Sequence, residues 1–184
     1  LTQLPAMLGD MGDGHLMIEV ASLPKMMYDQ ILASAVKTME AICPVTNAKA
    51  CKNEVELHGF RVAHRRDGVA MVEFLCWLDR EMQVPNACFF ENEIAEKLQS
   101  FRQQQDGFIA PSFHTIAGSG PNGAIVHYRA LARKDRQLRV NDILLLDSGA
   151  HYDCGTTDIT RTIATGMPPD GTKTAFTHVL RAHI

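Results

Sequence analysis

The 184-residue sequence predicts an α+β fold, on two observations. Apolar residues recur at helical period over 53–78 and again over 91–105, whereas beyond Gly107 the period changes to short aliphatic and β-branched runs separated by turn residues. The helices leave apolar stripes that need a sheet to cover, and the later runs supply strands. Hydrophobic content of 46% and charged content of 21% exclude a chain that is disordered throughout, and the length allows one ordinary domain or an incomplete domain with part of a neighbour.

Taken in order, Gly9-Asp-Met-Gly-Asp-Gly14 is a loosely ordered start, and 15–20 is a strand candidate. Ser22 ahead of Leu23-Pro24 marks the cap and first-turn proline of a helix that carries Met27, Ile31, Ala35 and Val36 toward Met39, and Cys43-Pro-Val-Thr-Asn47 ends it. A boundary near Ala50 divides the chain into 1–49 and 50–184. Asn53 caps the next helix, with Glu56 as its capping-box partner. Its stripe runs through Val55, Phe60, Val62, Ala63, Ala70, Met71, Phe74, Leu75 and Leu78. Arg61, His64, Arg65 and Arg66, flanked by Glu54, Glu56 and Asp67, read as a solvated face of that helix. A second helix over 91–105 buries Ile94, Leu98 and Phe101. The segment 111–116 reads as a strand and 117–123 as a glycine-rich loop without the Gly-Lys-Ser or Gly-Lys-Thr close of a phosphate loop. Ala124-Ile-Val126 then forms a buried strand that ends in His127.

The segment Leu144-Leu-Leu-Asp147-Ser-Gly-Ala-His-Tyr-Asp153-Cys-Gly-Thr-Thr-Asp158-Ile-Thr-Arg161-Thr carries the chemistry. Runs at 143–146 and 159–163 read as two strands, with turn residues at Asp153-Cys-Gly155 between them. A hairpin centred between Tyr152 and Asp153 sets Asp147 opposite Asp158. Directly opposed side chains lie roughly 4.5–5.5 Å apart at Cβ, where like charges repel unless a cation neutralises them. A single Asp beside Gly is ordinary turn chemistry, but neither of these sits in the middle of the turn. The pair therefore reads as half of an oxygen-rich metal site suited to manganese, with cobalt or zinc as alternatives if histidine joins.

Three segments in this order, Ser112-Phe-His-Thr-Ile-Ala-Gly-Ser-Gly-Pro-Asn-Gly-Ala-Ile-Val-His127-Tyr128, Asp147-Ser-Gly-Ala and Gly155-Thr-Thr-Asp158-Ile-Thr-Arg-Thr162, closely resemble the catalytic domain of the aminopeptidase P (Xaa-Pro aminopeptidase) family in its long eukaryotic form. The opening helix from Lys52 to Gly68 resembles that family as well, and 1–49 resembles the tail of the preceding α/β domain with its linker. The resemblance implies the pita-bread fold shared with prolidase, creatinase and methionine aminopeptidase, of which 50–184 is the N-terminal half. It implies that Asp147 binds one divalent metal and Asp158 bridges two, and that His127 is the catalytic, substrate-contacting histidine. Peptides with proline in the second position are the implied substrates, attacked by a hydroxide activated between the metals. Thr160, two residues beyond Asp158, projects to the same side and supports the metal-binding carboxylates by hydrogen bonding, while Arg161 points away. The family's remaining ligands, a histidine in a glycine-rich segment and two glutamates, do not occur before Ile184. His178 and His183 look like ordinary residues of the helix that precedes that segment. With no Met at Leu1, the chain reads as an internal piece of a longer enzyme, inactive alone, with a homodimer as the expected state of the whole protein. A prolidase-like dipeptidase of the same fold and a non-catalytic relative are the competing readings. The fit of 112–127 disfavours the first, and the presence of both aspartates disfavours the second.

A formal net charge of -3 with no basic tract argues against nucleic-acid binding. Five cysteines without a Cys-x-x-Cys pair argue for a reducing compartment. Cys76, within Phe74-Leu-Cys-Trp77-Leu, reads as a buried thiol, and Cys154 as a turn-tip residue remote from the carboxylates. No apolar run is long enough to cross a membrane, and residues 1–11 lack signal-peptide character, so the expected location is cytoplasmic.

Overall fold

The computed structural model describes residues 3–131 and 135–184. Contacts divide the chain into two compact units, Leu1–Asn53 and Glu54–Ile184.

The first unit runs α1 (Leu4–Gly9), β1 (His15–Ile18), α2 (Lys25–Leu32), β2 (Lys37–Glu40) and α3 (Pro44–Ala50). β1 and β2 pair in parallel, from His15 opposite Lys37 to Ile18 opposite Glu40, and Leu8, Ile18 and Ile31 form a small core. The helix expected to reach Met39 stops at Leu32 instead. Ser34 donates both its hydroxyl, at 2.6 Å, and its backbone N–H to the Ile31 carbonyl, which turns the chain out of the helix. Residues 37–40 are then free to pair with β1. Ser22 is not the cap: its hydroxyl donates to Glu19, and Pro24 precedes the helix. Cys43-Pro44 opens α3 rather than only closing what comes before, with proline at the first turn where its missing N–H costs nothing.

The second unit is built on α4 (Glu54–Glu81), 28 residues and about 42 Å long at 1.5 Å per residue. Its buried positions, Gly59, Ala63, Asp67, Ala70, Met71, Phe74 and Leu78, recur every three or four residues. The stripe is narrower than expected. Val55 is 81% exposed, and Cys76 is exposed rather than buried, because two residues from both Phe74 and Leu78 is a rotation of about 200° to the opposite side of the helix. Asp67, taken from the sequence as part of a solvated face, is fully buried. After β3 (Phe89–Phe90), α5 (Glu91–Arg102) packs beside α4. Together they cover a core of Met71, Phe74, Leu78, Ile94, Leu98, Ala117, Leu138, Leu144 and Leu146.

The strands follow as β4 (Phe108–Pro111), β5 (Ile116–Ser119), β6 (Gln137–Leu138), β7 (Ile143–Ser148), β8 (Ala150–Tyr152), β9 (Gly155–Thr156) and β10 (Ile159–Ala164), before α6 (Thr172–His183). They form three antiparallel sheets, in the orders β10-β7-β5, β4-β8-β9 and β3-β6. The segment 111–116 is not one strand, since 112–115 crosses between two sheets and the glycine-containing residues after it are paired in β5. The crossover is pinned by Ser112, whose backbone N–H donates to the Gly149 carbonyl at 3.1 Å and whose hydroxyl donates to the Thr157 carbonyl at 3.0 Å. α6, which carries His178 and His183, leaves Phe176, Val179 and Leu180 about half exposed or more.

Candidate metal centre

β7 alternates: Leu144, Leu146 and Ser148 are buried in the core, so Ile143, Leu145 and Asp147 line the other face. On that face Asp147 lies opposite Ile116 of β5 and Thr160 of β10. Thr160 donates its hydroxyl to Asp147 Oδ1 at 2.8 Å. The register differs from the hairpin read in the sequence, which set Asp158 opposite Asp147. The reason is that 149–158 is not a simple return: β8 and β9 leave to pair with each other and with β4, and Asp158 stands just ahead of the ladder that starts at Ile159. The slip is even, so alternation still puts the Asp158 position, two residues before Thr160, on the Asp147 side.

The approach to Asp158 is fixed from beneath. Gly149 has no room for a side chain, since a Cβ there would lie 2.1 Å from the Thr157 carbonyl oxygen and 2.4 Å from Ser112 Oγ. Thr157 is buried, and its backbone N–H and hydroxyl oxygen meet the backbone of Ala150 at 2.9 and 3.0 Å. Its hydroxyl donates to Asp67 Oδ2 at 3.0 Å. Asp67 also accepts two hydrogen bonds from Arg102, at 2.6 and 3.0 Å, and one from Tyr152 at 3.1 Å. A buried, bidentate ion pair between α4 and α5 therefore holds the residue next to Asp158. Burial, and then the Asp67 charge, push the Tyr152 hydroxyl far above the usual phenol range, so it stays a donor. Arg66 ties the β8–β9 turn to α4 through Asp153 at 3.0 Å.

His127 does not end a buried strand. Residues 120–124 form a 3-10 turn, and His127 follows in an exposed turn at φ +54, closed by the Tyr128 N–H to the Ile125 carbonyl at 3.2 Å. The cause is Gly120-Pro-Asn-Gly123, which folds back on β5 where Gly118 leaves space and brings Gly123 against Leu145. The turn that leads to His127 thus covers the same face of β7 that carries Asp147. Glu91, buried at the start of α5, holds this segment by hydrogen bonds from Ser119, Asn122, Tyr128 and Arg136.

Of the residues singled out by sequence, Asp147 and Thr160 are in contact, and Asp158 lies beside them in the chain. His127 does not join the two carboxylates in one group: among the described residues no three His, Cys, Asp or Glu side chains gather closely enough to hold an ion. What is present is a partly exposed carboxylate braced by a hydroxyl and a second, exposed carboxylate. Oxygen donors of that kind fit hard or borderline divalent cations. Glu91, Asp67, Arg102 and Thr157 were missed by sequence reasoning. For Asp67, Glu91 and Arg102 the signal was a charged side chain standing on an apolar helical stripe, which requires a buried partner, whereas Thr157 stands on no such stripe.

Residues 58–184 match the model of metallopeptidase family M24, and the chain belongs to that family. Its α+β fold is the pita-bread architecture, of which the chain forms an N-terminal portion. Aminopeptidase P2 of Arabidopsis thaliana is 45% identical over 141 residues, covering 77% of the chain and 20% of that protein. A protein of Coccidioides posadasii named "Probable Xaa-Pro aminopeptidase P" is 38% identical across the whole chain, which covers 28% of it. Among solved structures, the X-prolyl aminopeptidase of Caenorhabditis elegans, described as a cytosolic enzyme with a di-nuclear active site, superposes over 99% of this chain with a TM-score of 0.85 at 33% identity. The chain spans only 20–30% of the length of these relatives.

Proposed function

We propose that this chain is the first part of the catalytic domain of an Xaa-Pro aminopeptidase, which hydrolyses the bond between an N-terminal residue and a following proline. The observation that carries the reading is Asp147 on the open face of β7, braced by Thr160, with Asp158 two residues ahead of that threonine, in a chain of family M24. Asp147 and Asp158 would hold two divalent ions, manganese being the best match to carboxylate oxygens, with cobalt or zinc as alternatives. Bound there, the ions would polarise the substrate carbonyl and activate water at neutral pH. The chain's own residues set the geometry. Thr160 fixes the rotamer of Asp147, the Thr157–Asp67–Arg102 network fixes the backbone entering Asp158, and His127 presents a ring N–H to the substrate or to the negative charge that develops on its carbonyl oxygen.

Residues 50–184 would then be the N-terminal part of the pita-bread domain, and 1–49 the tail and linker of a preceding α/β domain. The whole enzyme is read as cytoplasmic and homodimeric, with peptides and neither nucleic acid nor membrane as partners, and the chain alone as inactive. The test is turnover of a tripeptide with proline second by the parent enzyme, before and after chelation and after manganese is restored. Cleavage that survives complete chelation, or that is confined to dipeptides, contradicts the reading.

A further inference from the structure

We propose that Glu91 is a positioning residue for His127: its buried carboxylate clasps both sides of the turn that carries the histidine and fixes where the imidazole stands. The proposal rests on the role given to His127 above. Glu91 is 1% exposed at the first position of α5. Oε1 accepts the Ser119 N–H at 2.7 Å and the Asn122 side-chain amide at 3.0 Å, both ahead of His127. Oε2 accepts the Tyr128 hydroxyl at 2.6 Å, immediately after His127, and the Arg136 N–H at 2.9 Å. Asn122 also donates to the Tyr128 hydroxyl oxygen at 2.9 Å, which closes the ring of bonds.

His127 needs such a hold. It takes a left-handed backbone conformation, at φ +54, that persists in a non-glycine residue when its surroundings impose it. Packing supplies little of that here, since Ile125 and Val126 are 51% and 82% exposed. A charged acceptor with four donors around it, out of water, is the strong restraint available. Burial, and then the bond to Glu91, push the Tyr128 hydroxyl up to about 12, so it remains a donor at any working pH. Displacement of a catalytic group by about 1 Å can cost on the order of a hundredfold in rate, so a clasp remote from the reacting atoms can govern turnover.

The test is a double-mutant cycle in the parent enzyme, read as kcat and KM on a peptide with proline second, together with metal content. Glu91→Gln puts an amide N–H among groups that are themselves donors. It should lower kcat by about tenfold or more with metal retained, yet by less than about twofold when introduced into His127→Ala. Tyr128→Phe, which keeps the ring and removes one bond to Glu91, should show the same coupling at smaller size, and it carries the test if Glu91→Gln does not fold. Equal losses in both backgrounds, or no loss from either variant, overturn the clasp while leaving His127 its role. Unaltered kinetics in His127→Ala instead removes the assignment of His127, and the clasp with it.

Discussion

At the scale of single residues, two buried carboxylates each bond a neighbour of a candidate site residue. Asp67 holds Thr157, the residue before Asp158, and Glu91 holds Tyr128, the residue after His127. In both places a tyrosine hydroxyl is kept protonated by burial and by the carboxylate it bonds. Tyr128, at about 12 in the folded chain against about 10 in an unfolded one, makes a stability contribution that is complete below pH ~10 and is lost as pH rises through ~12, because over that interval the folded state binds the proton that the unfolded state has released. Spectrophotometric titration should show Tyr128 and Tyr152 ionising late, and Tyr128→Phe should flatten the alkaline fall in stability; a Tyr128 that ionises at its ordinary pKa contradicts this. His127→Ala should reduce turnover strongly while leaving metal content unaltered, since the histidine stands in an exposed turn rather than among the carboxylates. Loss of metal on that substitution would move His127 among the ligands. Asp147, Asp158 and His127 stood out as candidates through motif. Asp67 and Glu91 stand on apolar helical stripes, which signals burial, but no local pattern names what they meet, because their partners lie up to 90 residues away.

At the scale of elements, the α4 and α5 helices were readable by their period, and β7 and β10 as short apolar or β-branched runs bounded by turn residues. The errors fell where a local hydrogen bond competes with that period. Ser34 ends α2 early, Gly118 and Gly123 let a 3-10 turn replace a strand before His127, and the crossover at Ser112 moves residues 112–115 out of any sheet. The register of β7 against β10 was off by two residues, since nothing in 149–158 announces that β8 and β9 join another sheet. Packing predicts the costs of substitution. Phe74→Ala, at the fully buried centre of α4, should destabilise the second unit by about 3–5 kcal/mol. Asp67→Ala leaves the Arg102 guanidinium buried without its partner and should cost a similar ~3–5 kcal/mol, with a fall in metal affinity that Phe74→Ala does not share at matched stability. Denaturant unfolding with parallel metal titration checks both, and equal effects on metal binding would deny Asp67 its hold on the Asp158 segment.

At the scale of the molecule, the described residues bring two candidate carboxylates, Asp147 and Asp158, to one side of β7 and β10, and no three His, Cys, Asp or Glu side chains gather closely enough to hold an ion. Its last helix presents Phe176, Val179 and Leu180 outward. Residues 1–184 expressed alone should therefore bind manganese weakly, leave proline-containing tripeptides uncleaved and tend to associate through open sheet edges and apolar surface; a monodisperse, active chain would contradict the fragmentary site. Whether Asp147 and Asp158 hold the metals is decided by elemental analysis of the purified parent enzyme and its Asp147→Asn and Asp158→Asn variants, with circular dichroism to check that the fold is intact. About two divalent ions per chain are expected in the unmodified enzyme, with loss of metal in each variant and no loss of helix signal. Full metal content in either variant would contradict that role.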